Sequence, residues 1–187
     1  MIGAITAGLF SGGVAASTNS YESIATTVVG SGGSSSITFS SIPSTFTHLQ
    51  VRSISRDGTG SGTFDNGGNL TFNGDTGSNY AWHALYGQGS TASATATINT
   101  NRVLFITADS GSTANVFTAG VLDILDYTNT NKYTTTRQLM GEDLNGSGGL
   151  YFISGLWRNT AAITSITITS TNTYAQYSSF ALYGIKG

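Results

Sequence analysis

Short apolar–polar alternations, not helical spacings, run through most of the chain. Leu49, Val51 and Ser53 alternate with Gln50 and Arg52, the pattern of a strand with one buried face. Leu70 and Phe72 repeat that spacing, and Ile166-Thr167-Ile168-Thr169 is the clearest alternating run. Two β-rich runs, residues 21–29 and 36–41, flank the flexible turn Gly30-Ser31-Gly32-Gly33. Residues 80–86, 102–108, 116–125, 132–139, 150–157, 163–169 and 174–185 supply further strands, most of them divided by Gly, Asn, Ser or Asp clusters. Residues 91–100 are alanine-rich enough for a short helix, but their threonines favour a loop or strand. Residues 58–68 and 145–149 both read as mobile Gly-rich loops.

Ten or so short strands in the body predict an all-β fold, an antiparallel β-sandwich of jelly-roll-like form. A β-helix would need a fixed short repeat, which the sequence does not have. No interdomain linker is evident, so residues 20–187 form one sandwich domain preceded by an extended N-terminal arm, residues 1–19. That arm is apolar, with Ile2, Ile5, Leu9 and Phe10 on a Gly- and Ala-rich backbone. A secretory signal would carry early positive charge, whereas the first basic residue is Arg52. The arm therefore reads as a docking segment for a partner.

Composition sharpens this picture. Gly, Ser, Thr and Asn make up about half of the 187 residues, and only 9% are charged. Seven basic against nine acidic residues leave a net charge of −2, which excludes a basic nucleic-acid binder. The 39% apolar content and the abundance of strand-forming Thr argue against disorder. No apolar run is long enough for a transmembrane helix, so no membrane partner is expected. With two lysines and one proline, Pro43, the chain has few of the devices that shield free strand edges. Neighbouring chains are therefore expected to cover its edges and much of its surface.

Catalytic chemistry finds little support. No serine stands in a Gly-x-Ser-x-Gly elbow, and no phosphate-binding glycine motif occurs. Without cysteine there is no thiol nucleophile, disulfide or Cys-based zinc site. His48 and His83 read as strand residues making local hydrogen bonds. Asp123 and Asp126 are expected on opposite faces of a strand, and Glu142 and Asp143 in a turn, so neither pair suits glycosidase work. Asp57, Asp65 and Asp75 match no calcium-loop spacing and suit turns on backbone grounds. Asn69-Leu70-Thr71 and Asn145-Gly146-Ser147 match glycosylation acceptors at the frequency this composition gives by chance. The expectation is a non-enzyme with no cofactor and no metal. Tyr80, Trp82 and Tyr86 share parity along one strand; such a stripe packs a core more often than it forms an exposed platform for sugar rings.

Several strings resemble a known group. Tyr21-Glu22-Ser23-Ile24-Ala25, Phe39-Ser40-Ser41-Ile42-Pro43-Ser44-Thr45, Phe72-Asn73-Gly74-Asp75-Thr76-Gly77-Ser78-Asn79-Tyr80 and Trp157-Arg158-Asn159-Thr160-Ala161-Ala162-Ile163 are similar to small virion proteins of tailed bacteriophages. That group is frequent in phages of cyanobacteria and other aquatic bacteria. The ending Leu182-Tyr183-Gly184-Ile185 resembles it too, so the likeness spans residues 21–185. The resemblance implies a β-sandwich on a capsid surface or in a tail, and it carries over no catalytic residue. The resulting expectation is a capsid decoration (cement) protein of the virion. It would act as a homotrimer at junctions of the major capsid protein, with the arm gripping the shell. The alternatives are a tail-fibre or adhesin domain that binds host-surface glycan through Tyr80, Trp82 and Tyr86, and, further off, a secreted carbohydrate-binding module.

Overall fold

The computed structural model describes residues 20–58 and 64–187. Twelve strands follow one another: β1 (Tyr21–Val28), β2 (Ser34–Phe39), β3 (His48–Ser55), β4 (Phe64–Phe72), β5 (Tyr80–Gln88), β6 (Thr91–Thr100), β7 (Val103–Ala108), β8 (Thr118–Ile124), β9 (Thr134–Asp143), β10 (Gly148–Trp157), β11 (Ile166–Tyr174) and β12 (Ser179–Ile185). There is no helix among the described residues. An eight-stranded sheet has the order β1-β12-β3-β8-β9-β10-β5-β6 and a four-stranded sheet the order β2-β11-β4-β7. Every strand pairing within the two sheets is antiparallel.

The pairings are nested. β5 pairs with β6, β4 with β7, β3 with β8, β2 with β11 and β1 with β12. Successive pairs fall alternately in the large and the small sheet. One long antiparallel ribbon, closed at the β5–β6 hairpin, thus wraps back and forth between two layers. This is the jelly-roll winding expected from the strand pattern. β9 and β10 form a hairpin inserted between β8 and β5, which widens the large sheet without changing the winding.

The two inner faces meet through rings. Phe72 of β4 lies 5.5 Å from Trp157 of β10, Phe64 of β4 5.3 Å from Tyr151 of β10, and Phe105 of β7 6.4 Å from Phe180 of β12. Aromatic pairs at these separations add about 0.5–1.5 kcal/mol each beyond the area they bury. All six residues of β7 are buried, because this strand lies against the large sheet. Gly155 in β10 marks one point of closest approach: a Cβ there would come within 2.6 Å of a Val103 methyl and 2.4 Å of Thr136 Oγ1.

Three local expectations are refined. Residues 91–100 form strand β6, in which Ala92, Ala94 and Ala96 alternate with Ser93, Thr95 and Thr97. The alanines that suggested a helix all fall on one face of a strand, and alternation prevails over propensity. The Gly-rich stretch 58–68 is not loop throughout, since β4 begins at Phe64. Glu142 and Asp143 end strand β9 instead of forming a turn; the turn follows at residues 144–147.

Candidate functional site

Sheet register fixes which side chains share the outer face of the large sheet. Val121 of β8 is paired with Leu139 of β9, Leu139 with Phe152 of β10, Phe152 with Leu85 of β5, and Leu85 with Ala94 of β6. One apolar row therefore crosses five adjacent strands. Leu139 is 49%, Phe152 50% and Leu85 61% exposed, so the row faces solvent. Beside it, Ile54, Ala119, Gly141, Leu150, Gly87 and Ala92 form a second row across β3 to β6. Cross-strand neighbours of this kind are in side-chain contact range, so the two rows make one continuous patch.

Two depressions lie in this patch. The larger, about 990 Å³, is floored by Ala119, Gly120 and Gly141 and walled by Ile54, Leu139 and Leu150. The smaller, about 560 Å³, lies near the free edge of the sheet, over Ala94 and Ala96 and against Leu85, Phe152 and His83. Both exist because glycine and alanine stand where neighbouring strands carry leucine or phenylalanine. Glu142 borders the larger depression, and burial raises its carboxyl above the usual 4.5 despite hydrogen bonds from Ser112 and Thr118 and the nearby charge of Arg56.

A third row on the same face is polar. Gln50 Nε2 donates to Asp123 Oδ1 at 2.8 Å, and Arg137 Nε to Asp123 Oδ2 at 2.9 Å. Arg52 Nε donates to Gln50 Oε1 at 2.9 Å, and its guanidinium lies over the rings of Tyr21 and Tyr183. Charge on this face is thus paired within the face. The small sheet presents a different exterior. Thr38 of β2, Thr167 of β11 and Thr71 of β4 form a hydroxyl row, with Thr38 and Thr167 hydrogen-bonded at 3.2 Å.

The aromatic trio shares parity on β5, but on the inner side. Tyr80 is fully buried; its hydroxyl donates to the Asp75 carbonyl at 3.0 Å and accepts from Phe72 N at 3.1 Å. Burial pushes that hydroxyl up to about 12. Trp82 and Tyr86 are half-buried against the core, and Tyr86 stacks on Tyr151 at 5.1 Å. The outer face of β5 is carried by His83 and Leu85. Ile2, Ile5, Leu9 and Phe10 lie outside the described residues.

The remaining polar candidates are engaged in structure. His48 Nδ1 accepts the backbone N–H of Asp126 at 2.9 Å. Asp126 falls after β8, not within it, at positive φ, and its hydrogen bond from Lys132 holds its carboxyl below the usual range. Asp57 is buried and accepts from Ser170 and Asn172. Asp75 accepts from Trp157, Asn79 and Gly77. Among the described residues, no three His, Asp or Glu side chains gather as a metal site.

The apolar rows escaped the sequence reading for a physical reason. In β9 the inner positions are Thr134, Thr136, Gln138 and Met140, while Leu139 faces out. Gln138 is tolerated inside because its Nε2 donates to the Leu104 carbonyl at 3.0 Å. The only available signal was the opposite parity of Leu150 and Phe152 to Tyr151 and Ile153 within one strand. Comparison of the chain with protein-family models, curated proteins and solved structures finds no match to any of the three.

Proposed function

We propose that this protein is a structural component of a bacteriophage virion, a capsid decoration (cement) protein that binds the assembled shell and stabilises it. The observation that carries the reading is the asymmetry of the sandwich. One outer face bears contiguous apolar rows from Val121 to Ala94, and the other bears a threonine row. An exposed apolar patch of this extent marks an interaction surface, and the hydroxyl face suits contact with water. A chain with 9% charged residues leaves this face little protection from association.

Its action would be thermodynamic. A protein that binds only the assembled lattice of major capsid protein shifts the equilibrium toward that lattice by mass action. Contacts through apolar side chains and neutral hydroxyls vary little with salt, which suits a particle that meets changing media. A place on the capsid accords with the resemblance of residues 21–185 to small virion proteins, and the form proposed for it is a trimer at capsid junctions. The glycan-binding alternative has weaker support, because Tyr80 is enclosed and the half-buried Trp82 and Tyr86 pack against the core.

The test is heat inactivation of shells assembled with and without the protein, together with its copy number per particle. Decoration predicts saturating copies over the shell and a lower disruption temperature when the protein is left out. A few copies confined to the tail, or unchanged heat resistance, would overturn it.

A further inference from the structure

Strand β6 is the free edge of the large sheet opposite β1. It has ten residues, Thr91–Thr100, with no charge and no proline among them. Native sheets blunt such edges with Lys, Pro, bulges or a covering segment. The opposite edge has such devices: β1 is bulged between Ser23 and Ala25, and Glu22 pairs with Lys186 at its margin. The small sheet ends in β2, of six residues, and in β7, which is buried throughout. β6 is bulged as well, where Thr97–Thr100 faces Tyr80–Trp82, but the bulge lies at its end, and Thr91–Thr97 keeps regular register with no charge or proline to blunt it.

The edge adjoins the smaller apolar depression, whose floor is Ala94 and Ala96 on β6 itself. A strand added beside β6 would gain backbone hydrogen bonds along the edge and set alternate side chains beside these alanines. Such an occupant must be uncharged, and large apolar residues on one face would fill the space the alanines leave.

Residues 1–19 have that character. They contain no charged side chain, and in extended form Met1, Ile5 and Leu9 share a face with Gly3 and Ala7 between them. The segment joins the body at Ser20, just before β1, at the far edge of the same sheet. Seven strand spacings of about 4.8 Å separate the two edges, roughly 34 Å. To reach its own β6 the segment would spend about ten residues at full stretch on crossing the sheet. A neighbouring copy set edge to edge places its β6 next to the origin of the segment.

We propose that residues 1–19 of one copy add along the free edge of β6 in a second copy, with Met1, Ile5 and Leu9 over the depression at Ala94 and Ala96. The contact is head-to-tail, so it closes a ring when the rotation between copies allows. The segment's partner is then a second copy and not the shell. The inference rests on the oligomer in the decoration reading, and it is tested without capsids.

The absence of native cysteine makes cross-linking clean. The full chain carrying Leu9→Cys and Ala94→Cys is treated with a short bismaleimide, and the unmodified protein is weighed by light scattering. The expected results are covalent chain-to-chain products and a mass three times the 19.3 kDa of one chain. Removal of residues 1–19 should reduce that mass to a single chain, with an unchanged β-sheet circular dichroism spectrum. Should the shortened chain fail to fold, Ala94→Lys with Ala96→Lys, both at exposed positions, should have the same effect on mass. Links formed only within one chain, a monomeric starting protein, or an oligomer indifferent to both changes would overturn the proposal. A monomer that still raises shell heat resistance would overturn this docking and leave the decoration reading intact.

Discussion

The indole Nε1 of Trp157, the last residue of β10, donates to Asp75 Oδ2 at 2.7 Å and so ties the large sheet to the turn after β4. Trp157 is only 1% exposed and stacks on Tyr80 at 6.3 Å, while the Tyr80 hydroxyl reaches the Asp75 backbone. The same carboxylate accepts from Gly77 N at 2.9 Å and from Asn79 Nδ2 at 3.0 Å, which shapes the turn. Asp75→Ala would strand a buried indole N–H and release the turn, at about 2–3 kcal/mol. The expected outcome is a thermal midpoint lower by roughly 5–10 °C. Trp157→Phe in the Asp75→Ala background should cost less than the sum of the single changes, because both remove one bond. Urea unfolding of the three variants measures it.

Two of the perturbed carboxylates, Asp75 and Glu142, predict opposite pH dependences. Burial alone would raise Asp75, but hydrogen bonds from Trp157, Asn79 and Gly77 outweigh it and hold the carboxyl below its usual 3.8. A depressed folded value means that the stabilisation is complete above 3.8 and is lost as pH falls through the folded value. Glu142 is raised above 4.5 chiefly by burial. Between 4.5 and its folded value the native state holds a proton that the unfolded chain releases, so stability declines as pH rises there. Glu142→Gln keeps an acceptor for Ser112 and should raise the urea midpoint at pH 7, with the gain vanishing below 4.5. Asp75→Asn should flatten the acid limb instead. Midpoints measured from pH 3 to 8 separate the two.

How far the fold was legible depends on the range of the signal. Alternation is local, so Leu49–Ser53 and Ile166–Thr169 announce β3 and β11 without tertiary information. The nesting of β1 with β12 and β2 with β11 joins residues more than a hundred positions apart, and no local pattern encodes it. The outer face was hidden by the assumption that large apolar side chains point inward. Leu139 breaks it because Thr136 and Gln138 fill the inner positions of β9, and Leu150 and Phe152 break it because Tyr151 and Ile153 already occupy the inner side of β10. The trio Tyr80, Trp82 and Tyr86 was legible in parity, and its inward direction was the commoner reading of such a stripe, although parity by itself cannot tell which face of a strand meets the second sheet.

Arg56 is a further fixed point. Its guanidinium donates to four backbone carbonyls of the β7–β8 connection: Thr113 and Val116 through Nη1, Ser110 and Ser112 through Nη2. A planar fork serves four acceptors, whereas an ammonium has three donors at a single point. Arg56→Lys is therefore expected to loosen residues 110–116 and to lower global stability by about 1–2 kcal/mol. Hydrogen exchange should show faster amide exchange confined to this connection, with the β-ladder amides of β9 and β10 protected as before.

The exposed apolar rows make the sharpest distinction between packing and binding. Leu139 and Phe152 face each other across β9 and β10, on the side away from the core. Replacing both with Thr keeps strand propensity and removes only a cross-strand contact, so the folding free energy should change by less than about 1 kcal/mol. Ile153→Thr, one residue away but fully buried, should cost about 2–4 kcal/mol, because it opens a cavity and buries a hydroxyl. If the apolar rows are the binding surface, the ranking reverses in shell binding. Leu139→Thr with Phe152→Thr should weaken binding at least 30-fold, the loss expected of a central apolar anchor worth about 2 kcal/mol. Thr167→Ser on the hydroxyl face should leave binding unchanged. Binding to preformed shells by sedimentation, run beside urea unfolding of the same variants, reads both rankings. Equal shell binding by wild type and the Leu139→Thr, Phe152→Thr variant would move the interface elsewhere on the sandwich.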